Sequence, residues 1–237
     1  MTYATVIQSI RQLVSPRAAR RLTSQQAAGG SGGDTVFDQY AEFCLADYSI
    51  YCPRVIITDA VHDGTGFVIT PWTEGLSRVI GVESPVDQSP PRYLSGMYYR
   101  VATDGNNVTR VIADGYAAGS EVRIEHAAIH ILQSAVEGGQ AEVVTIPDAH
   151  AKRFAHLVAS VMYQALADEM AENVDPTVAA DTASLQAIRE QYDAIATRHF
   201  EQFARMAGID PEKRRPAVAY GLAHAPAQTI RMRRNWA

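Results

Sequence analysis

His126 and His130, with Glu125 beside the first, are the residues whose type and spacing come nearest to metal chemistry. On a helix, two positions four apart point their imidazoles to the same side, as a zinc site needs. The alternation of Val-Arg-Ile-Glu-His puts His126 in a strand instead, where a spacing of four holds the two side chains about 13 Å apart. No cysteine or third ligand stands nearby in the sequence. Surface or loop positions are therefore expected for both, with a small metal-dependent enzyme using His126 and His130 as the alternative from a different class. His150 and His156, six apart on a predicted helix, face different sides of it and are read as surface or interface positions. Asp168, Glu169 and Glu172 crowd the end of the same helix, and paired carboxylates do acid/base work when their environments differ. A charge run of this kind is usually a solvated face. The chain has no G-x-S-x-G elbow and no G-x-G-x-x-G fingerprint. Residues 27–33, AAGGSGG, follow no strand and precede no Lys-Ser/Thr pair, so they read as a flexible linker rather than a phosphate loop. Catalysis, a bound metal and a cofactor are not expected.

The elements around these residues follow from periodicity. Val6, Ile7, Ile10, Leu13 and Val14 recur at helical spacing, predicting a short amphipathic helix that ends before Pro16. Residues 1–26 are also Arg-rich and acid-free, the composition of a mitochondrial transit peptide, which stands as a minority reading. A helix from Asp34 or Thr35 to about Ile50 carries Val36, Phe37, Tyr40, Phe43 and Cys44 on one face, and Pro53 stops it. Residues 54–60 and 66–70 flank Asp63-Gly64, a hairpin signal. Residues 77–86 read as a third strand, 97–102 and 108–113 bracket Asp104-Gly105-Asn106-Asn107 as a second hairpin, and 121–127 completes one antiparallel sheet of about six strands. Tyr98 and Tyr99 in this region suit sheet packing or a protein interface better than base stacking. Helices over 147–172 and 184–206 are predicted to form an antiparallel hairpin.

Cys44 and Cys52 are the only cysteines, too few for a disulfide framework, and are expected to be reduced. No apolar run reaches the roughly 18 to 20 residues that span a bilayer, and Gln8 and Arg11 break any secretory stretch, so no membrane association is expected. Charge divides unevenly along the chain. Residues 1–33 carry +4 and residues 210–237 carry +4, so a net −5 leaves −13 on residues 34–209. Basic ends on an acidic body suit acidic protein surfaces or nucleic acid at the ends and repel phosphate from the middle. Three regions follow: an amphipathic arm with its linker (1–33), a body (34–209) and a basic C-terminal arm (210–237). In that last arm Arg231, Arg233, Arg234 and Trp236 are the residue types that anchor interfaces.

Residues 54–101, RVIITDAVHDGTGFVITPWTEGLSRVIGVESPVDQSPPRYLSGMYYRV, followed by the helix pair and residues 175–200, resemble the head-to-tail connector (adaptor) proteins of tailed bacteriophages. In that family a short strand pair, a W-x-x-G segment ending in a strand and a Pro-rich Tyr-Leu turn precede two long helices. Trp72, Gly75, Pro90, Pro91, Tyr93 and Leu94 occupy those places here. The resemblance implies an α+β fold: a helical bundle, made of the C-terminal hairpin and an N-terminal helix, with a small antiparallel sheet inserted and extended terminal arms. It implies a virion protein, assembled in the host cytoplasm, forming a commonly twelve-fold ring that joins the portal to the neck or tail. Genomic DNA would pass through its lumen without sequence-specific binding. Arg231, Arg233, Arg234 and Trp236 would then dock on the portal, while Val6, Ile7, Ile10, Leu13, Tyr98 and Tyr99 would pack between subunits. A neck or tail-completion protein one ring below is the nearest alternative. The extra start, residues 1–33, departs from the family pattern. The acidic body suits a conduit, because a wall that repels phosphate lets a duplex slide.

Overall fold

The computed structural model describes residues 1–26, 36–134, 141–172 and 179–210. The linker at 27–33 and the C-terminal arm from 211 onward, with Arg231, Arg233, Arg234 and Trp236, lie outside the described residues. In chain order the elements are α1 (Tyr3–Leu13), α2 (Pro16–Gln26), α3 (Val36–Tyr51), β1 (Arg54–Val61), β2 (Phe67–Val68), β3 (Arg78–Glu83), β4 (Tyr99–Thr103), β5 (Thr109–Ala113), β6 (Glu121–Ala128), β7 (Leu132–Gln133), β8 (Val143–Val144), α4 (Ala151–Glu172) and α5 (Ala179–Ala207). The chain is mixed α+β, with two long C-terminal helices and small antiparallel sheets. It divides into two compact units, one from the described residues of 1–52 and 130–210, the other from 53–129. Among the described residues no helix is long and apolar enough to cross a membrane.

In the helical unit α4 is the centre. Every residue from Phe154 to Tyr163 is buried, which the single apolar face expected from periodicity does not explain. The reason is that α1, α2, α3 and α5 all pack against it, and a helix enclosed by neighbours buries its whole circumference. α5 runs antiparallel to α4, since His156 meets His199 and the earlier Tyr192 meets the later Tyr163. The predicted hairpin is present, with α5 beginning at Ala179 rather than Ser184.

The N-terminal region departs most from expectation. α1 is capped by Thr2, whose side chain accepts from the Thr5 N–H at 3.2 Å. Pro16 does not simply end the helical region; it opens α2, with Ser15 Oγ accepting from the Ala18 N–H at 3.2 Å. A proline is favourable in a first turn, where its missing N–H has no intrahelical partner to lose. Val6, Ile7, Ile10, Val14, Ala18 and Leu22 join the core that α4 provides.

Residues 53–129 form two three-stranded antiparallel sheets rather than the single sheet expected, in the orders β1-β6-β3 and β2-β5-β4. Val82, Val122 and Ile124 from one sheet share a core with Phe67, Val111 and Ala113 from the other. The first predicted hairpin is corrected. β1 pairs with β6 and β2 with β5, and the two are joined by an isolated bridge between His62 and Phe67. The turn between them has the expected chemistry, Asp63 Oδ1 accepting from the N–H groups of Thr65 (2.8 Å) and Gly66 (3.0 Å). Beyond the turn β2 joins β5, and Gly66 passes so close to β5 that a Cβ there would meet the Val111 carbonyl at 2.9 Å. The second hairpin is as expected, β4 pairing with β5 from Tyr99–Ala113 to Thr103–Thr109. Arg110 ties the two turns together, reaching Asp63 at 3.0 Å and Asp104 as well.

Candidate assembly surfaces

Four residues expected to pack between subunits belong to this chain's own helical unit. Val6 and Ile10 are 0% exposed and Ile7 is buried; Leu13 is half-buried and packs on the same core. The expectation of an N-terminal arm resting on a neighbour is thus corrected for the described residues. The amphipathic pattern is real, but its apolar face is satisfied by α4. Polar contacts hold the segment in place as well: Ser15 N–H donates to Tyr163 Oη at 2.9 Å, Tyr3 Oη to Asp38 at 2.6 Å, and Arg21 pairs with Glu169 at 3.2 Å. Glu169 is therefore a structural partner rather than one of a solvated run, and Asp168 accepts from Gln164 at 3.0 Å.

His126 and His130 lie in different units and neither is at the surface: His126 is on β6, while His130 lies, as a loop residue but a buried one, in the connection between β6 and β7. On β6 the inward side holds Val122, Ile124, His126 and Ala128 at period two, so His126 is fully buried. Its Nε2 lies 3.2 Å from the Pro71 carbonyl and its Nδ1 has no partner among the described residues. Burial, with Arg54 nearby, holds its pKa below the usual imidazole range. His130 places Nε2 2.9 Å from the Cys52 carbonyl and Nδ1 3.0 Å from the Thr145 carbonyl, while its N–H donates to Ser49 Oγ. Its ring fastens the residue after α3 to the residue after β8. Among the described residues no group of three or more His, Cys, Asp or Glu is placed to hold a metal ion.

His156 and His199, absent from any sequence motif, form an imidazole pair, Nδ1 to Nδ1 at 2.9 Å across the α4–α5 hairpin. One must donate and the other accept, so the two Nδ1 atoms cannot both carry a proton. Tyr163 stacks on His199 at 5.8 Å with the rings nearly parallel. Burial first, then His156 and Arg198, push the His199 pKa down to about 4. His156 is lowered by burial and by Lys152. The sign of the linkage follows: an unfolded chain takes up this proton near pH ~6.5 while the folded chain stays neutral. Stability from the pair is complete above that pH and is lost as pH falls to about 4. Urea unfolding at pH 7 and pH 4.5 should show a drop that His199→Phe, which keeps the stack and removes the titration, makes smaller.

On the outer side of residues 53–129, Arg123 gathers three carboxylates. It donates to Asp59 at 2.7 and 3.2 Å and to Asp87 at 2.9 Å, with Glu83 at 3.6 Å. The Arg123 hydrogen bonds hold the Asp59 carboxyl below the ordinary carboxylate range. Large apolar side chains also stand exposed in residues 53–129: Val55, Ile57 and Val61 on β1, Ile80 on β3, and Tyr93, Met97 and Tyr98 in the loop before β4. Tyr99, by contrast, turns inward and packs on the shared core of the two sheets. Of the proposed interface pair, only Tyr98 is presented to solvent. Compared with known proteins, the chain matches no family model, no curated protein and no solved structure.

Proposed function

We propose that this chain is a structural, non-enzymatic virion subunit: a helical bundle with an inserted β unit that forms a ring between the portal and the neck or tail of a tailed phage. The observation that carries this reading is the exposed loop before β4, where Met97 is 86% and Tyr98 64% exposed. Such side chains clustered on one surface mark a contact site with another protein. The sequence resemblance gives the class of assembly, and the −13 carried by residues 34–209 suits a lumen through which DNA slides. Arg231, Arg233, Arg234 and Trp236 are assigned to the portal contact, and the ring is assigned twelve subunits. The test is sedimentation of the full chain alone and mixed with the portal protein of the same virion. A closed oligomer that Met97→Asp with Tyr98→Asp reduces to monomer is the expected result; a wild-type chain that is monomeric in both samples overturns the reading. A protein one ring lower would form its ring yet give no cross-link from residues 231–236 to the portal.

A further inference from the structure

Two exposed apolar surfaces of residues 53–129 start from opposite edges of one sheet. In the order β1-β6-β3, β1 and β3 are the edge strands. At the first edge, period two sets Val55, Ile57, Asp59 and Val61 in one outward row, all exposed. Among the described residues no strand pairs with the far side of β1. An apolar row beside an unpaired strand edge calls for a covering partner. At the other edge, the loop before β4 is fastened to β3 by its backbone. The Leu94 N–H donates to the Val82 carbonyl at 2.8 Å and the Ser84 N–H to the Arg92 carbonyl at 2.9 Å. The Tyr93 ring lies against Gly81, where a Cβ would meet it at 3.0 Å. From that anchor the loop runs on with Tyr93, Met97 and Tyr98 exposed.

The two surfaces differ in the sign of their charge. Asp59, in the β1 row, shares Arg123 with Asp87 and Glu83, so three carboxylates surround one guanidinium and leave a net −2. Residues 92–100 contain no acid, and Arg92 and Arg100 stand exposed at the two ends of the loop, giving it +2. Neither arginine forms an ion pair among the described residues. Surfaces of opposite sign and shared apolar character suit each other, whereas either one set against its own copy brings like charges together. A two-fold contact through one surface is therefore disfavoured. Because the surfaces start from opposite edges of the sheet, the loop of one copy is free to meet the β1 row of the next. That is a head-to-tail contact, the kind that generates rings.

We infer that copies of this chain join head to tail, the basic apolar loop at residues 92–100 of one copy packing on the acidic apolar β1 row, residues 55–61, of the next. The inference rests on the ring reading and names the surface that Met97 and Tyr98 meet. The test is sedimentation of two full-length variants, alone and mixed, beside the wild type, at a concentration where one interface holds a pair. The edge variant is Ile57→Lys with Val61→Lys. These exposed positions stand opposite Glu125 and Glu121 on β6, so the sheet accommodates the new cations while they repel the arginines of the loop. The loop variant is Met97→Ser with Tyr98→Ser, which removes apolar contact and adds no charge. Each variant alone is expected to self-associate about thirtyfold or more weakly than wild type. Mixed in equal parts, they are expected to form one-to-one pairs, since the edge variant keeps its loop and the loop variant keeps its β1 row. An edge variant that assembles as well as an assembling wild type overturns the inference and leaves the ring reading standing. A mixture no more associated than its separate components overturns it too. A monomeric wild type overturns the ring reading and this inference with it.

Discussion

Ile10→Ala is expected to cost about 2–5 kcal/mol of unfolding free energy, the range for removing a buried branched side chain whose surroundings relax only in part. Ile10→Asp, which buries a charge without a partner, should abolish the cooperative transition of the helical unit. Both expectations follow from Ile10 being 0% exposed, with Val6 and Ile7 on the same turns of α1, against α4. Urea unfolding followed by far-ultraviolet circular dichroism measures the loss. The alternative, an arm that docks on a neighbouring subunit, makes the opposite forecast: Ile10→Ala would leave unfolding of the isolated chain unchanged and weaken only association.

Phe203→Ala should be about as severe, ~3–5 kcal/mol. Phe203 is fully buried on α5 and meets Tyr51 edge-on at 5.6 Å, Phe200 at 6.0 Å and Tyr48 at 6.4 Å. Through it α5 reaches α3, so its loss removes the contacts to both Tyr48 and Tyr51 at once. Tyr48 also meets Phe154 of α4 edge-on at 5.2 Å and bonds His150 Nδ1 at 3.0 Å. The signature is a lower urea midpoint together with a weakened near-ultraviolet signal from this aromatic cluster. Phe203→Leu, which keeps apolar volume, should recover much of the midpoint and little of that signal.

Both sites show where the sequence was readable and where it was not. The long helices, the 97–113 hairpin and the apolar spacing of α1 were legible because each is local: periodicity, turn residues and caps lie within a few positions of one another. What occupies an apolar face is not local. The spacing of Val6, Ile7 and Ile10 demands a partner but does not say whether α4 or a second subunit supplies it. α2 escapes the sequence pattern because Pro16 reads as a stop, although Ser15-Pro16 is also a start signal. The division into two sheets was hidden for a similar reason. Asp63-Gly64 signals a turn whether the flanking strands pair with each other or with β6 and β5. The buried His130 and the His156–His199 pair join residues 15 to 81 positions apart, and no spacing rule connects such positions. Tyr98 and Tyr99 part where the loop meets the strand: Tyr98 ends the loop and is exposed, while Tyr99 opens β4 and packs on the shared core.

The proposed assembly rests most directly on whether this chain closes into a ring. Electron microscopy of the full chain bound to the portal protein of its own virion is the decisive measurement. The account predicts ring-shaped class averages with an open axial lumen wide enough for a DNA duplex, one ring per portal, and with acidic residues of 34–209 toward the axis. Portal particles unchanged in shape and mass after mixing, or a ring whose lumen is closed to a duplex, would contradict it.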